Sequence, residues 1–268
     1  SGWVCLHRCG KMRCILVSGA AGFIGWKVTE YLLAKGYAVV GLDNLSNSYD
    51  VRLKKWRLDK LLEKKGFKLL HIDITDWQSL MPELTATCRY CGGFDAIIHL
   101  AARAGVRGSV TNPWAYYHTN VMGTLNLLEA SRKLKIKKFV LASTSSVYGD
   151  GELPFREDQP AERPLSPYAA SKKAAENLCY SYHHLHDIDI VVLRYFTVYG
   201  PAGRPDMSYF RFVKWIAEGE PCILYGDGSQ ERDFTHVDDI VSGTVESLQL
   251  TGYNIINLGS GNPVSIKE

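Results

Sequence analysis

Long apolar runs, a surplus of one charge and paired cysteines are all missing from this 268-residue sequence. No stretch comes near the roughly 20 consecutive apolar residues that a membrane-spanning helix needs. The amino terminus is polar and basic rather than shaped like a secretory signal. No membrane partner is expected, and the default setting is cytoplasmic. Lysine and arginine number 31 against 28 aspartates and glutamates, a formal charge of +3. Nucleic-acid binders concentrate basic residues on one face, so this balance gives no reason to expect nucleic acid as a partner. The seven cysteines, Cys5, Cys9, Cys14, Cys88, Cys91, Cys179 and Cys222, are odd in number and irregular in spacing, which argues against a disulfide framework. Cys88 and Cys91 form one CxxC, but a structural zinc site takes two such knuckles; reduced thiols and no metal are expected. Internal repeats and low-complexity tracts are absent too.

What remains is an ordinary globular composition, 46% hydrophobic and 22% charged, at a length that suits one or two domains with a sizeable core. Ser1-Gly2 looks like a cloning remnant with Met12 as the native start, so residues 1–11 are left out of the fold. Apolar runs at Cys14–Ser18, Ala38–Leu42, Phe67–Ile72, Ala96–Leu100, Phe139–Ala142 and Ile190–Arg194 read as strands buried on both faces. Helical patterns at Gly22–Lys35, Val51–Lys65, Trp77–Leu84, Trp114–Lys133 and Pro167–His186 separate them. Such alternation predicts an α/β fold, a Rossmann-type doubly wound parallel sheet. After Thr197 the rhythm breaks into shorter elements such as Cys222–Tyr225 and Asn254–Leu258. We read 12–196 as a dinucleotide-binding domain and 197–268 as a smaller substrate-binding lobe interleaved with it. The final Asn262-Pro263-Val264-Ser265-Ile266 reads as a turn and the start of a helix, so the lobe looks truncated.

Between the first strand and first helix lies Gly19-Ala-Ala-Gly22-Phe23-Ile24-Gly25. Glycines there allow a tight turn and let backbone approach a pyrophosphate resting on a helix amino terminus. Asp43 ends the second strand, about 20 residues on, where a carboxylate accepts the ribose hydroxyls of NAD and repels the extra phosphate of NADP. Further along, Tyr168-Ala-Ala-Ser-Lys172 opens a predicted helix. The i,i+4 spacing puts phenol and ammonium on one face, and the lysine cation, with the positive nicotinamide, is expected to lower the tyrosine's pKa. Ser143-Thr144-Ser145-Ser146 falls at a strand carboxyl end, where such sheets place ligands.

With these motifs in hand, the sequence resembles the extended short-chain dehydrogenase/reductase family, in its nucleotide-sugar epimerase and dehydratase branch. Supporting motifs are His99-Leu-Ala-Ala102, Asn120 ahead of Gly123-Thr124, and Arg232-Asp-Phe-Thr-His-Val-Asp-Asp239. The resemblance implies an NAD on Gly19, Gly22, Phe23, Ile24 and Gly25, with Asp43 and Asn44 at the ribose. It implies Asp73 and Ile74 at the adenine, Leu100, Ala101 and Ala102 along the phosphate and ribose edge, and Asn120 and Tyr195 near the nicotinamide. Thr144, Tyr168 and Lys172 would be the catalytic set, the last two also touching the cofactor, and Arg232 would hold the nucleotide diphosphate. A homodimer pairing the helices Trp114–Lys133 and Pro167–His186 is implied as well. Trp26 departs from the small residue usual after the third glycine.

Dehydratases of the family carry Asp-Glu directly after the threonine, and its decarboxylases carry glutamate at the position of Ser146. Here both positions are serine, which leaves 4-epimerisation through a transient 4-keto sugar. Asp50-Val-Arg-Leu-Lys54, Ala104-Gly-Val-Arg-x-Ser109 and the stretch Phe196–Met207 are similar to UDP-glucuronate 4-epimerases, whereas glucose epimerases have asparagine at Thr197. The expected reaction is UDP-glucuronate to UDP-galacturonate, with Ser145, Ser146, Thr197 and Arg204 as donors for the sugar carboxylate. UDP-glucose epimerisation, net NAD-dependent oxidoreduction or dehydration, and an NAD-binding protein without turnover remain the alternatives.

Overall fold

The structure, a computed structural model, describes residues 13–224 and 227–267. The proposed start at Met12, together with Cys5, Cys9 and Tyr225, lies outside the described residues.

Seven parallel strands build the main sheet: β1 (Cys14–Ser18), β2 (Ala38–Leu42), β3 (Phe67–Leu70), β4 (Ala96–His99), β5 (Lys138–Thr144), β6 (Asp189–Tyr195) and β9 (Tyr253–Leu258). Their order is β3-β2-β1-β4-β5-β6-β9, so the chain reverses direction between β1 and β4. Ligands of open α/β sheets bind in the crevice above that reversal. Alternate strand residues feed two cores. Ile15, Val17, Val140 and Leu193 face one layer, with α1 (Phe23–Ala34), α2 (Val51–Leu62) and α9 (Val237–Glu246). Leu16, Val40, Leu141 and Val192 face the other, with α3 (Trp77–Cys91), α6 (Gly123–Leu134) and α7 (Pro167–His186). The unbroken apolar runs predicted as strands are those of a sheet covered on both faces.

Several elements differ from their expected bounds. Helix α3 runs on to Cys91 although Pro82 lies inside it; its second half presents Leu84 and Thr87 to the core, and packing outweighs the lost backbone bond. Tyr253–Leu258 leaves the small lobe and becomes the edge strand beside β6. Residues 222–224 form no regular element. Asn262–Ile266 is not a helix start: Pro263–Ser265 is β10, antiparallel to β8 (Glu231–His236), with Val264 opposite Arg232. The cause is local, since Asp233 accepts the N–H groups of Ser260 and Gly261 at 2.8 and 2.7 Å and turns the chain back. β8 also pairs in parallel with β7 (Thr197–Tyr199), completing a three-stranded sheet. Two short helices, α4 (Val106–Thr111) and α5 (Pro113–Tyr117), and α8 (Ser208–Glu218) complete the order.

Trp26 fits its helix. Its ring is buried and meets Trp56 of α2 edge-on, centroids 5.5 Å apart, at the cost of an unpaired indole N–H.

Candidate active site

The glycine turn is packed so closely that side chains are excluded. A Cβ on Gly25 would lie 2.0 Å from the Gly19 carbonyl oxygen, and one on Gly19, whose φ is +75°, would lie 2.8 Å from the Ala101 nitrogen. Gly22 N donates to the Gly19 carbonyl at 2.9 Å and closes the turn, and the N–H groups of the first turn of α1, from Phe23 on, suit a pyrophosphate. Asp43 accepts from Ala21 N at 3.0 Å and Leu45 N at 2.8 Å, which fixes the carboxylate and leaves lone pairs for ribose hydroxyls. Asn44 donates to Asp73 at 2.7 Å, joining the two residues expected at the ribose and adenine. Burial pushes the Asp73 carboxyl up, but bonds from Thr75 and Asn44 outweigh it and hold it low. Ile74 differs from a simple ligand. Its side chain is core and its carbonyl accepts from Asn126, so an adenine would meet its backbone rather than its side chain.

A chain of oriented hydrogen bonds ties this turn to the catalytic helix. Ser18 Oγ accepts from Leu100 N and Ala101 N, both 3.2 Å, and bonds His99 Nδ1 at 2.7 Å. His99 Nε2 is 2.9 Å from Thr124 Oγ1, whose hydroxyl donates to the Asn120 carbonyl at 2.6 Å. That direction makes Nε2 the protonated nitrogen and Nδ1 the acceptor. Burial first, and the Lys172 cation second, push His99 down to about 3, so it is neutral at physiological pH. Asn120 lies in a single π-turn, His118–Met122, between α5 and α6. Its amide donates to Arg103 O at 3.0 Å and Ser171 Oγ at 2.9 Å and accepts from Arg103 N at 2.8 Å. Ser171 donates onward to the Tyr168 carbonyl at 2.7 Å. Asn120 thus braces the loop after β4 against α7.

Ser166 caps α7 by accepting from Ala169 N at 3.1 Å, and Pro167 takes the first helical position, where its missing N–H is harmless. Tyr168 is therefore in the first turn, with Lys172 one turn behind it and buried. Thr144 ends β5 near enough to the Tyr168 hydroxyl to favour its ionised form, so β5 and α7 bring Thr144 and Tyr168 together, with Lys172 one helical turn further on. The electrostatics depart from expectation. Burial holds the Tyr168 phenol above its ordinary value, against the Thr144 bond and the Arg204 cation, with Lys172 not among its main influences. Lys172 is itself pushed down to about 8 by burial, opposed by Glu176 and Cys179. The chain alone does not make the phenol acidic.

Ser145 and Ser146 form a 3-10 turn directly after Thr144, with Ser146 N donating to Thr144 Oγ1. Thr197 opens β7 two residues beyond Tyr195, which pairs with Thr144 in the sheet. All three hydroxyls therefore leave neighbouring strand ends. Arg204 makes a two-point pair with Asp206, 3.0 and 2.6 Å, and lies close enough to Tyr168 to influence it. Tyr195 is buried with its hydroxyl on Thr244 of α9 at 2.8 Å. Arg232 is exposed in the small sheet, donating to the Glu231 carbonyl.

Sequence reasoning missed Glu176. It lies one turn beyond Lys172, fully buried, accepting from Ser143 Oγ at 2.6 Å and from Arg194 at 3.0 and 2.8 Å. Arg194 stacks on the Tyr148 ring at 4.6 Å. The one available signal was the i,i+4 continuation of the Tyr168–Lys172 face. Among the described residues no cluster of three or more His, Cys, Asp or Glu could hold a metal, and no helix is long and apolar enough to cross a membrane.

Residues 15–259 match the model of the NAD dependent epimerase/dehydratase family. The chain belongs to that family. It is 58% identical over 254 residues to a UDP-glucuronate 4-epimerase of Thermodesulfobacterium geofontis, covering 94% of this chain and 77% of the relative. Among solved structures it is similar to a UDP-glucuronic acid 4-epimerase from Bacillus cereus in complex with UDP-glucuronic acid and NAD. There the TM-score is 0.87 at 40% identity, over 95% of this chain and 80% of the other. A UDP-glucose 4-epimerase from Thermotoga maritima, solved with UDP-glucose, is more distant at 30% identity and a TM-score of 0.82, covering 95% and 79%. As an epimerase/dehydratase family member the chain is NAD-dependent, and the glycine turn and Asp43 fit that cofactor.

Proposed function

We propose that this chain is an isomerase that interconverts UDP-glucuronate and UDP-galacturonate by NAD-dependent epimerisation at C4. The observation that carries the reading is Thr144 at the carboxyl end of β5 beside Tyr168 in the first turn of α7, with Lys172 one turn on and hydroxyls rather than acids at 145 and 146. Relatives at 58% and 40% identity that act on UDP-glucuronate support the substrate.

What NAD contributes when bound is reversible hydride storage and, in oxidised form, a positive charge. The chain's residues do the rest. Tyr168 takes the proton from the C4 hydroxyl and later returns it, a role worth about 10²- to 10⁴-fold. Thr144 holds the same oxygen, and its hydrogen bond favours the phenolate. Lys172, kept charged partly by Glu176, supplies positive potential from the same helix face. Tyr168, which burial holds above its ordinary value, would ionise more readily beside the cofactor's positive charge. Ser145, Ser146, Thr197 and Arg204 are assigned to the sugar carboxylate, and Arg232 to the diphosphate.

We also assign a homodimer. Trp114 is 83% exposed, and Val110, Tyr117, Met122, Tyr180 and Leu185 are further exposed apolar side chains on α4 to α7, a grouping that supports a buried interface. Unpaired thiols among the described residues and a need for NAD and a nucleotide sugar support a cytoplasmic location.

The test is NMR of UDP-glucuronate with the NAD-loaded protein, with UDP-glucose in a parallel sample. Appearance of UDP-galacturonate is expected. Conversion of UDP-glucose alone would overturn the uronate assignment while leaving the catalytic set intact.

A further inference from the structure

Arg57 has no part in the chemistry above, yet it is wholly buried. Its guanidinium joins three segments far apart in sequence. Nη1 donates to the Ala21 carbonyl inside the glycine turn at 3.1 Å and to the Tyr49 hydroxyl at 2.6 Å. Nη2 donates to the Ala202 carbonyl at 2.7 Å and, more loosely, to Gly203 at 3.4 Å. Ala202 and Gly203 immediately precede Arg204. Tyr49 extends the link, its ring 5.6 Å from the Arg204 guanidinium, 5.5 Å from that of Arg57 and 5.2 Å from the Lys54 ammonium. The backbone supplies independent support. Ala202 has φ +54° and Leu45 has φ +50°, values that non-glycine residues seldom adopt and that persist where surroundings enforce them. Arg57 holds the carbonyl of the first, and Asp43 holds the N–H of the second.

We propose that Arg57 is a positioning residue that locks the sugar-side loop 200–207 to the cofactor turn 19–25, so that an occupied turn fixes the loop bearing Arg204. Only a planar, forked cation reaches three segments at once; a lysine in its place has a single point of attachment. The catalytic consequence rests on the 4-epimerase reading: a loop held in register keeps the ketone in place while it turns and takes back its hydride.

The test is hydrogen exchange read by mass spectrometry, with and without saturating NAD, on wild type, Arg57→Met, Arg57→Lys and Tyr49→Phe. In wild type, NAD should slow exchange in both 19–25 and 200–207, on the order of fivefold or more. In Arg57→Met, protection of 19–25 should remain, while exchange in 200–207 returns to within about twofold of its NAD-free rate. Arg57→Lys should recover only part of it. If Arg57→Met fails to fold, Tyr49→Phe, which keeps the ring and deletes only the 2.6 Å acceptor, should show a partial loss confined to 200–207. Full protection of 200–207 in these variants, or none in wild type, overturns the proposal. Kinetics with UDP-glucuronate on the same variants should show kcat falling more than KM rises, with part of the cofactor left reduced. A wild-type protein that turns over no UDP-sugar would overturn the 4-epimerase reading and leave the exchange result standing.

Discussion

Lys172 and Glu176 should set the pH behaviour of the proposed site. Lys172 titrates near 8 instead of its usual 10.5 because burial penalises its charge. As pH rises through about 8 this ammonium, assigned with Tyr168 and Thr144 to the catalytic set, loses its charge, so kcat/KM should fall on that limb. Glu176→Gln removes the carboxylate that favours the cation, and the limb should then move to lower pH; an unmoved limb would assign it to another group. The same shift has a stability sign. Between about 8 and 10.5 the unfolded chain holds more protons on this lysine than the folded chain does, so its contribution to stability rises with pH. Thr197 makes a second prediction. The 4-keto uronate is a β-keto acid prone to lose carbon dioxide, and a donor lost near its carboxylate frees it to reach the cleaving geometry. Thr197→Val should raise decarboxylated product or weaken uronate binding, as NMR of the product mixture would show. At this scale the sequence was legible where spacing carries chemistry, as in Tyr168 and Lys172. It was mute for Arg57, whose partner Ala202 is 145 residues away, and for Arg194, whose role exists only once β6 faces α7.

Helix α7 and the strands around it work as units. Because Tyr168 is in the first turn of α7, the cap at Ser166 fixes both the helix start and the phenol. Ser166→Ala should cost about 1 kcal/mol of stability, seen as a lowered Tm, and should depress kcat beyond the fraction unfolded. The main-sheet strands were readable because a sheet covered on both faces leaves unbroken apolar runs. β8 was not, since Glu231-Arg232-Asp233 is half exposed and charged and belongs to a small sheet open to solvent. β10 was misread because its pairing depends on Asp233, 30 residues upstream. Tyr253–Leu258 carries an ordinary strand pattern, and only the three-dimensional order reveals that it extends the main sheet.

For the whole molecule, the apolar grouping on α4 to α7 predicts assembly. Sedimentation should give twice the chain mass, and Trp114→Asp, placing a charge on the most exposed of those side chains, should shift the population to monomer without unfolding it. A wild type that sediments as a monomer at micromolar concentration would remove the dimer. The fold class followed from the alternation of strand and helix and the cofactor turn from its glycines between the first strand and first helix, whereas the strand order and its switch point became visible only in the folded sheet. How the loops meet above the sheet was not legible either, because those contacts are made by buried cations and backbone carbonyls that leave no periodic trace.

The π-turn at His118–Met122 has a consequence for how this lineage can change. Each residue of a regular helix advances about 100° around the axis, so deleting one residue to restore an ordinary α-helix would swing everything after it by that angle. Asn120 is keyed to α7 on one side of the irregularity. On the other, Thr124 is keyed to His99, and Gly123 fits against Ile74, whose Cδ1 would lie 2.4 Å from any Cβ there. No single deletion satisfies both sets of neighbours. The extra residue behaves as a one-way step: gained once, it is held by two unrelated contacts, and length variation among descendants should fall in the surface loops instead.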